Sequence, residues 1–350
     1  MTLLTRKVRM LLGFLTLAVT MYNCQPKEVA SVTPFTYTFK GLEEVKLPAY
    51  QPTAPAAVTV TPAQVTSSTA TAALTSIIST SATPTAVQSA TQTAAQVTAV
   101  IPEKQVDAIA AAYKPTDVVN AAKSGNVPAD LKALVTSFSN NPNLKKYLAT
   151  FTPPTINGKP VGARIGVVQE VAIVLGTTDD IDACKNTANE AYNTVLASIT
   201  KARDDQRNAV NATYTAAETS INSQSTSCPT DVETRYNTLR NQTTDNYNTV
   251  ITALVNFTNQ LPAAEREDVY NGLYVIYTVS YLSSMEASRS AEGAEKAACS
   301  QSKDARINAA KAARDSDLAE VTTNFNNAVK AAENARNSAI ASCHNQGSGK

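Results

Sequence analysis

The chain contains few of the residues that build large compact cores or catalytic sites. Its 350 residues include no tryptophan, 11 glycines, one histidine and only 6% aromatic side chains. Alanine, threonine, asparagine and serine dominate instead, in long segments without glycine or proline. Such segments favour helix over sheet. The composition therefore predicts an all-α fold.

An excess of charge of either sign is also missing. The chain has 30 lysines and arginines against 29 acidic residues, and residues 1–23 hold three of the basic ones and no acid. A chain that begins at Cys24 therefore has 27 against 29, a net charge of −2. Proteins that bind nucleic acids normally present a strongly basic face. We therefore expect no nucleic-acid partner.

The first 24 residues have the pattern of an export signal that ends in a cysteine. Arg6, Lys7 and Arg9 precede the apolar run MLLGFLTLAV, which is too short for a stable membrane span. TMYNC follows and ends at Cys24. This resembles the lipobox of bacterial lipoproteins, in which the cysteine is lipidated and becomes the mature N-terminus. Met21 and Asn23 depart from the common pattern and are similar to the relaxed lipoboxes of spirochaetes.

The resemblance implies a signal peptide over 1–23, lipidation at Cys24 and a lipid anchor in the outer membrane. The protein would then lie on the cell surface or face the periplasm. Several acyl chains on one residue hold a protein stably on a membrane, whereas one chain holds it only marginally. An ordinary signal peptide with an incidental cysteine is the alternative.

Residues 24–102 have the composition of a low-complexity spacer. Between residues 47 and 102 there is no charged residue in 56 positions, proline recurs, and apolar residues mostly stand singly. Such a segment buries little core. We expect a disordered Thr/Ala/Pro-rich tether here, with a possible helix near 85–99.

From residue 103 the pattern changes to short, well-punctuated helices. Four segments of about ten residues each begin at a proline or a capping residue and place apolar residues three or four apart. An apolar segment bounded by glycines follows at 162–176. The sequence predicts a short-helix subdomain over 103–176.

Residues 177–350 contain four regularly spaced cysteines. Cys184 and Cys228 are 44 residues apart, and so are Cys299 and Cys343. Apolar and small residues between them recur in steps of four, four and three. Eleven residues per three turns places them on one nearly straight helical face, as in a coiled coil. The pattern predicts long disulfide-linked helices in an elongated antiparallel bundle.

Two disulfide pairings agree with this spacing. Bonds 184–228 and 299–343 require two hairpins whose turns lack glycine and proline. Bonds 184–343 and 228–299 require two antiparallel helices in which the numbers of facing residues sum to about 527. We favour the second pairing because it aligns the apolar rows without inventing turns.

The antiparallel register predicts specific neighbours. Ile199 would meet Val329, and the rows continue with Val210 opposite Leu318 and Ile221 opposite Ile307. The register also places two arginines opposite two tyrosines, where a guanidinium can lie over a ring. These pairs are Arg314 with Tyr214 and Arg336 with Tyr192.

Helix boundaries are predicted from proline and capping residues. Cys228-Pro229 is expected to end one helix, and Thr230-Asp231 to cap the next, which would run to about Gln260. LPAAERED is expected to form a turn. These boundaries predict an up-down-up-down helical bundle over 178–345.

A stripe of tyrosines occurs in the following helix. Tyr residues suit interfaces, so an exposed recognition surface is one interpretation. Burial against residues 247–261 in the core of the bundle is the other, and we favour it. The stripe consists of Tyr270, Tyr274, Tyr277 and Tyr281.

Patterns typical of catalysis are scarce in the sequence. A nucleophile–histidine mechanism would have to use His344, and there are no close cysteine pairs, P-loop or dinucleotide glycines. We therefore expect no enzyme, no cofactor or metal, and no evident small-molecule site.

Three hypotheses of function remain. The first is a surface lipoprotein, for instance an adhesin, whose helical body binds another macromolecule such as a host protein. The second is a structural or accessory envelope lipoprotein that faces the periplasm. The third is a helical pore-forming toxin component that inserts 162–176 or 269–285.

Overall fold

The computed structural model describes residues 37–161 and 183–343, which belong to two compact units. The described part of the small unit is 37–48, 183–204 and 323–343, and that of the large unit is 49–161 and 205–322. The predictions for Cys24, for the apolar segment 162–176 and for His344 lie outside the described residues.

Helices dominate both units. In the part of the chain that the structure describes, five short helices and two four-residue helical turns precede two long helices, α8 (Ala183–Thr258) and α9 (Ala263–Cys343). The short ones are α1 (Lys40–Glu43), α2 (Thr69–Ile78), α3 (Pro84–Thr98), α4 (Glu103–Ala112), α5 (Pro115–Ser124), α6 (Ala129–Asn140) and α7 (Pro142–Lys145).

Five very short strands accompany the short helices in the described part of the large unit. They form two antiparallel sheets, one in the order β1-β4-β5 and one that pairs β2 with β3. The strands are β1 (Val60–Thr61), β2 (Gln64–Thr66), β3 (Thr150–Thr152), β4 (Thr155–Ile156) and β5 (Lys159–Pro160). They connect the two ends of the short-helix region to each other.

The residues from 183 to 343 form two helices rather than the four of an up-down-up-down bundle. The predicted break at Pro229 is wrong, because α8 continues through this residue to Thr258. A proline inside a helix costs about 3 kcal/mol, since it removes one backbone hydrogen bond and crowds the preceding turn. The neighbouring disulfide at Cys228 and the buried side chains of Val232 and Tyr236 hold the helix together across this defect.

The two long helices are antiparallel, and a disulfide links them in each unit. Cys184 bonds to Cys343 in the small unit, and Cys228 bonds to Cys299 in the large unit, each with 5.9 Å between the Cα atoms. This is the pairing that the sequence favoured. The all-α fold with long, disulfide-linked antiparallel helices is confirmed.

Arginine–aromatic pairs follow the same register. In the small unit the Arg336 guanidinium lies 4.8 Å from the Tyr192 ring centre, and in the large unit the Arg314 guanidinium lies 4.6 Å from that of Tyr214. Both pairs were predicted from the register. A third pair was not, and it places the Arg203 guanidinium 4.5 Å from the ring centre of Phe325 in the small unit.

The buried faces of both helices repeat every eleven residues, as the cysteine spacing predicted. Ile221, Ile307 and Leu318 are only half-buried, so the apolar rows expected there are thinner than predicted. Alanine and other small residues occupy much of the buried face instead. Its buried positions include Ala188, Ile199 and Val210 on α8, and Ala310, Val321 and Ala332 on α9.

The segment 37–48 covers the helix pair in the small unit. Phe39 and Leu42 are buried against a core that otherwise consists of small and β-branched side chains of α8 and α9. A pair of helices with alanine at several core positions leaves apolar surface open, and this segment covers it. The two large side chains thus complete the core of the small unit.

The disordered tether predicted for 24–102 is wrong for its described part, 37–102, because 37–48 packs on the small unit, β1 and β2 pair with β4 and β3, and 69–98 folds into the large unit. Residues 69–98 show this most clearly. They form α2 and α3, and Leu74, Ile78 and Val97 are buried in the core of the large unit. The apolar residues looked isolated in sequence, but they recur at helical spacing and alanines extend the buried face. The helix considered near 85–99 is confirmed as α3.

Candidate binding cleft

An open cleft of about 670 Å³ lies between α2, α8 and α9 in the large unit. Its walls contain no charged side chain, and 14 of its 17 lining residues carry a hydroxyl group. The lining consists of Ser67, Ser68, Thr71, Ala72, Thr75, Ser76, Ser79, Thr80, Thr243, Asn246, Tyr247, Thr249, Val250, Tyr277, Ser280, Tyr281 and Ser284.

The α2 wall is held in place by its N-terminus and its apolar face. Ser68 accepts a hydrogen bond from the Thr71 backbone N–H at 2.9 Å, as an N-cap residue does, and donates its hydroxyl to the Lys146 carbonyl at 2.6 Å. Leu74 and Ile78 are buried, which turns the opposite, hydroxyl-bearing face of the helix towards the cleft.

The α9 wall meets α2 through hydroxyl contacts. The hydroxyls of Thr71 and Ser280 lie 3.2 Å apart, and Thr75 donates to the Tyr277 hydroxyl at 3.5 Å. Residues 277, 280, 281 and 284 share one face of α9 because they are three or four positions apart. These contacts close one side of the cleft.

Two stacked tyrosines join α8 to α9 on the cleft's other side. The ring centres of Tyr247 and Tyr281 lie 4.5 Å apart. The Tyr247 hydroxyl pairs with that of Thr278 at 3.1 Å, and the Tyr281 hydroxyl pairs with that of Thr244 at 3.0 Å. Burial raises the pKa of both Tyr247 and Tyr281 above the ordinary value, at which a phenol is already neutral at physiological pH.

The predicted tyrosine stripe is part of the core. Tyr274, Tyr277 and Tyr281 are only 1–3% exposed, and half-buried Tyr270 stacks on Tyr274 with 5.7 Å between ring centres. A recognition surface made of these four rings is therefore wrong, and the alternative of a packed core is the one observed. Tyr277 and Tyr281 still present part of their surface to the cleft.

The rim of the cleft holds the polar groups that are left for a ligand. Ser67, Ser76, Ser79 and Asn246 are exposed, and their side chains make no hydrogen bond to any of the residues that the structure describes. Hydroxyls deeper in the cleft mostly bond to one another or to helix carbonyls, for example Thr75 to the Thr71 carbonyl at 2.9 Å. The hydroxyls inside the cleft are thus mostly hydrogen-bonded already, whereas these rim side chains are available to a ligand.

A second cavity, of about 450 Å³, lies beside the Cys228–Cys299 disulfide in the large unit. Glu295 is buried there, forms an ion pair with Arg235 and accepts a hydrogen bond from the Tyr236 hydroxyl at 3.0 Å. The buried carboxylate of Glu295 is thus already paired, and Arg306 donates to the Gln224 side-chain carbonyl at 2.9 Å, so this cavity offers a ligand less than the hydroxyl-lined cleft does.

The sequence analysis does not predict the cleft, because it assigns the residues of α2 to the disordered tether. The signal that could have found it is a serine and threonine segment in which Leu74, Ile77 and Ile78 recur at helical spacing. Among residues 37–161 and 183–343 no cluster of three or more potential metal ligands occurs. No helix of that part of the chain is both long and apolar enough to cross a membrane.

Comparison with protein families, with curated proteins and with solved structures finds no match for this chain.

Proposed function

We propose that the protein is an exported lipoprotein, anchored through Cys24 in the outer membrane, that presents its helical body at the cell surface. There it acts as a non-enzymatic binding protein, for instance an adhesin, for another macromolecule. The observation that carries the binding role is the uncharged cleft lined by tyrosine, serine, threonine and asparagine.

The two disulfides support export. Structural disulfides form and persist in exported proteins, whereas the cytosol keeps thiols reduced. All four cysteines of the body are used in bonds between α8 and α9. Only Cys24 is left, and it lies at the position where the lipobox resemblance places a lipid.

The composition of the cleft supports recognition of a macromolecule. Antibody binding sites use the same residues, because tyrosine supplies rigid amphipathic area and serine and asparagine supply adaptable hydrogen bonds. In the cleft, the paired rings of Tyr247 and Tyr281 supply the rigid part and the free rim side chains supply the adaptable part. The disulfide that joins α8 to α9 preorganises the helices that carry them.

Metabolic labelling with a radioactive fatty acid tests the anchor. We expect label in the wild-type protein and none in the Cys24→Ser variant, with Cys228→Ser as the matched cysteine control that keeps its label. Absence of label from the wild-type chain would refute the anchor.

Digestion of intact cells with an added protease tests the location. We expect the protein to be degraded without lysis, while a periplasmic marker survives. Survival of the protein until the outer membrane is opened would instead support the accessory lipoprotein that faces the periplasm.

A further inference from the structure

We infer that the cleft between α2, α8 and α9 is a binding site for a neutral saccharide chain. The inference deepens the proposed function and rests on it, because it names the chemistry of the macromolecule that is bound. A glycan on a host protein or on a cell surface has this chemistry.

Charge is the first argument. None of the 17 lining residues is charged. A sulfate, phosphate or carboxylate would find no cation among the lining residues to offset the hydration that it gives up on binding. The tyrosine phenols of the lining are neutral as well, since their ordinary pKa is about 10 and burial raises the pKa of Tyr247 and Tyr277 further. The cleft therefore selects for an uncharged ligand.

Hydrogen-bonding capacity is the second argument. Each saccharide hydroxyl both donates and accepts, and the serine and threonine hydroxyls of the cleft can do the same. Four side chains of the lining make no hydrogen bond to any described residue and can therefore bond to a ligand, namely those of Ser67, Ser76, Ser79 and Asn246. A ligand rich in hydroxyls can satisfy all four, and an apolar ligand would leave them desolvated and unpaired.

The apolar parts of the walls are the third argument. Sugar rings have C–H faces that pack on aliphatic and aromatic surface, and exposed Ala72 and half-buried Val250 supply such surface in the lining. Tyr247 and Tyr281, which are only 5% and 3% exposed, add a small part of it. The volume of about 670 Å³ is in the ordinary range of ligand sites, which is about 300–1,000 Å³.

A peptide fits the cleft less well than a saccharide does. Extended peptides bind to open strand edges, helical peptides to apolar grooves, and acidic peptides to arginine clusters. The walls here are three helices, whose backbone groups are paired internally, and the lining contains neither an apolar stripe nor a cation. The cleft offers side-chain hydroxyls instead.

Binding of labelled oligosaccharides to the full chain in detergent tests the inference. Fluorescent maltohexaose and chitohexaose serve as neutral probes, a heparin hexasaccharide as the charged one, and fluorescence polarisation reports binding. We expect saturable binding of at least one neutral probe and none of heparin. Failure of both neutral probes at millimolar concentration, or preference for heparin, would overturn the inference.

Matched variants on α8 locate the binding. Asn246 is exposed and lines the cleft, whereas Asn248 is exposed but does not line it. Asn246→Arg places a bulky charge in the cleft and is expected to weaken binding of the neutral probe by about tenfold or more. Asn248→Arg adds the same charge outside the cleft and is expected to leave the affinity within about twofold. Ser76→Arg repeats the test from α2, and thermal melting checks that each variant is folded.

The outcomes separate this inference from the proposed function. If both arginine variants on α8 bind the neutral probe like wild type, the saccharide does not occupy the cleft. If instead a peptide library yields a ligand that Asn246→Arg alone abolishes, the saccharide inference is wrong while the lipid-anchored binding protein stands. If the fatty-acid label is absent but a neutral saccharide binds at the cleft, the proposed lipid anchor is wrong and the inferred saccharide site is supported.

Discussion

Gly272 of α9 lies against Ala94 of α3 with no room for a side chain between them. A Cβ atom added to Gly272 would be 2.7 Å from the Ala94 Cβ and 2.9 Å from its Cα. Real Cβ atoms almost never approach other atoms so closely. The missing side chain therefore lets the backbones of α3 and α9 approach, and it fixes the position of α3 on the large unit's core.

Gly272→Ala is expected to destabilise the protein, although alanine is the better helix former. The new methyl group meets the Ala94 backbone, which cannot rotate away, and overpacking of this kind costs about 1–3 kcal/mol. Gly293 is the matched control, since it lies in the same helix and a Cβ there meets nothing within 4 Å. Gly293→Ala is expected to stabilise by about 0.5–1 kcal/mol. Urea unfolding measures both, and a loss of stability in Gly293→Ala would contradict the argument.

Removal of the Cys228–Cys299 bond is expected to lower the free energy of unfolding by about 2–4 kcal/mol. The bond closes a long loop, with 71 residues of sequence separation, and so restricts the unfolded chain. It also lies next to Pro229, where α8 lacks a backbone hydrogen bond. The double variant Cys228→Ser/Cys299→Ser, compared with wild type in denaturant, measures the effect. An unchanged midpoint would show that the bond contributes little.

The pair formed by Arg203 and Phe325 is expected to contribute about 0.5–1 kcal/mol of coupling energy. The guanidinium lies over the ring at 4.5 Å and also pairs with Asp204, which holds it in position. A double-mutant cycle with Arg203→Met and Phe325→Leu isolates this energy. Exposed Lys330 of the same unit supplies the control, and a cycle of Lys330→Met with Phe325→Leu is expected to be additive.

Stability is expected to fall in acid partly through Asp317. Burial of this carboxyl raises its pKa, but hydrogen bonds from Tyr50 and from Thr53, whose backbone N–H lies at 2.8 Å, outweigh burial and lower the pKa below its usual value. The ionised carboxylate therefore stabilises the folded state above about pH 4, the ordinary value of the unfolded chain, and this stability is lost as the pH falls through the lower folded pKa.

Asp317→Asn is expected to show less loss of stability between neutral pH and strong acid than wild type does. Its stability at pH 7 is expected to be lower by about 1–3 kcal/mol, because the buried hydrogen bonds lose their charged acceptor. Asp304→Asn is the control at an exposed position of the same helix and is expected to follow the wild-type pH profile. Chemical unfolding at several pH values provides the measurement, and identical profiles for all three proteins would contradict the role of Asp317.

The register of the long helices could be predicted because cysteine chemistry and helix geometry constrain it together. Equal separations of 44 residues place both disulfides on one face of each helix only if the helices repeat every eleven residues. Once Cys184 is paired with Cys343, every facing pair follows. That is why the sequence alone predicts the contacts of Arg314 with Tyr214 and of Arg336 with Tyr192, which the structure contains.

The cleft could not be predicted because its walls meet only through long-range packing. Nothing in α2 alone indicates that it lies beside residues 243–250 and 277–284. The helix end predicted at Pro229 is wrong for a similar reason. The destabilising effect of a proline can be recognised in the sequence, whereas the disulfide and the packing that compensate for it cannot. Local chemistry predicts helix propensity, and tertiary contacts decide where a helix ends.

The two disulfides are nested, because the bond from Cys184 to Cys343 encloses the bond from Cys228 to Cys299 along the chain. A peptide bond cut in the turn at 259–262 would therefore give two polypeptides that remain covalently joined at two places. The same holds for a cut anywhere between Cys228 and Cys299. Proteolytic nicking of the helical hairpin thus leaves one molecule, and only a reducing agent would release the fragments.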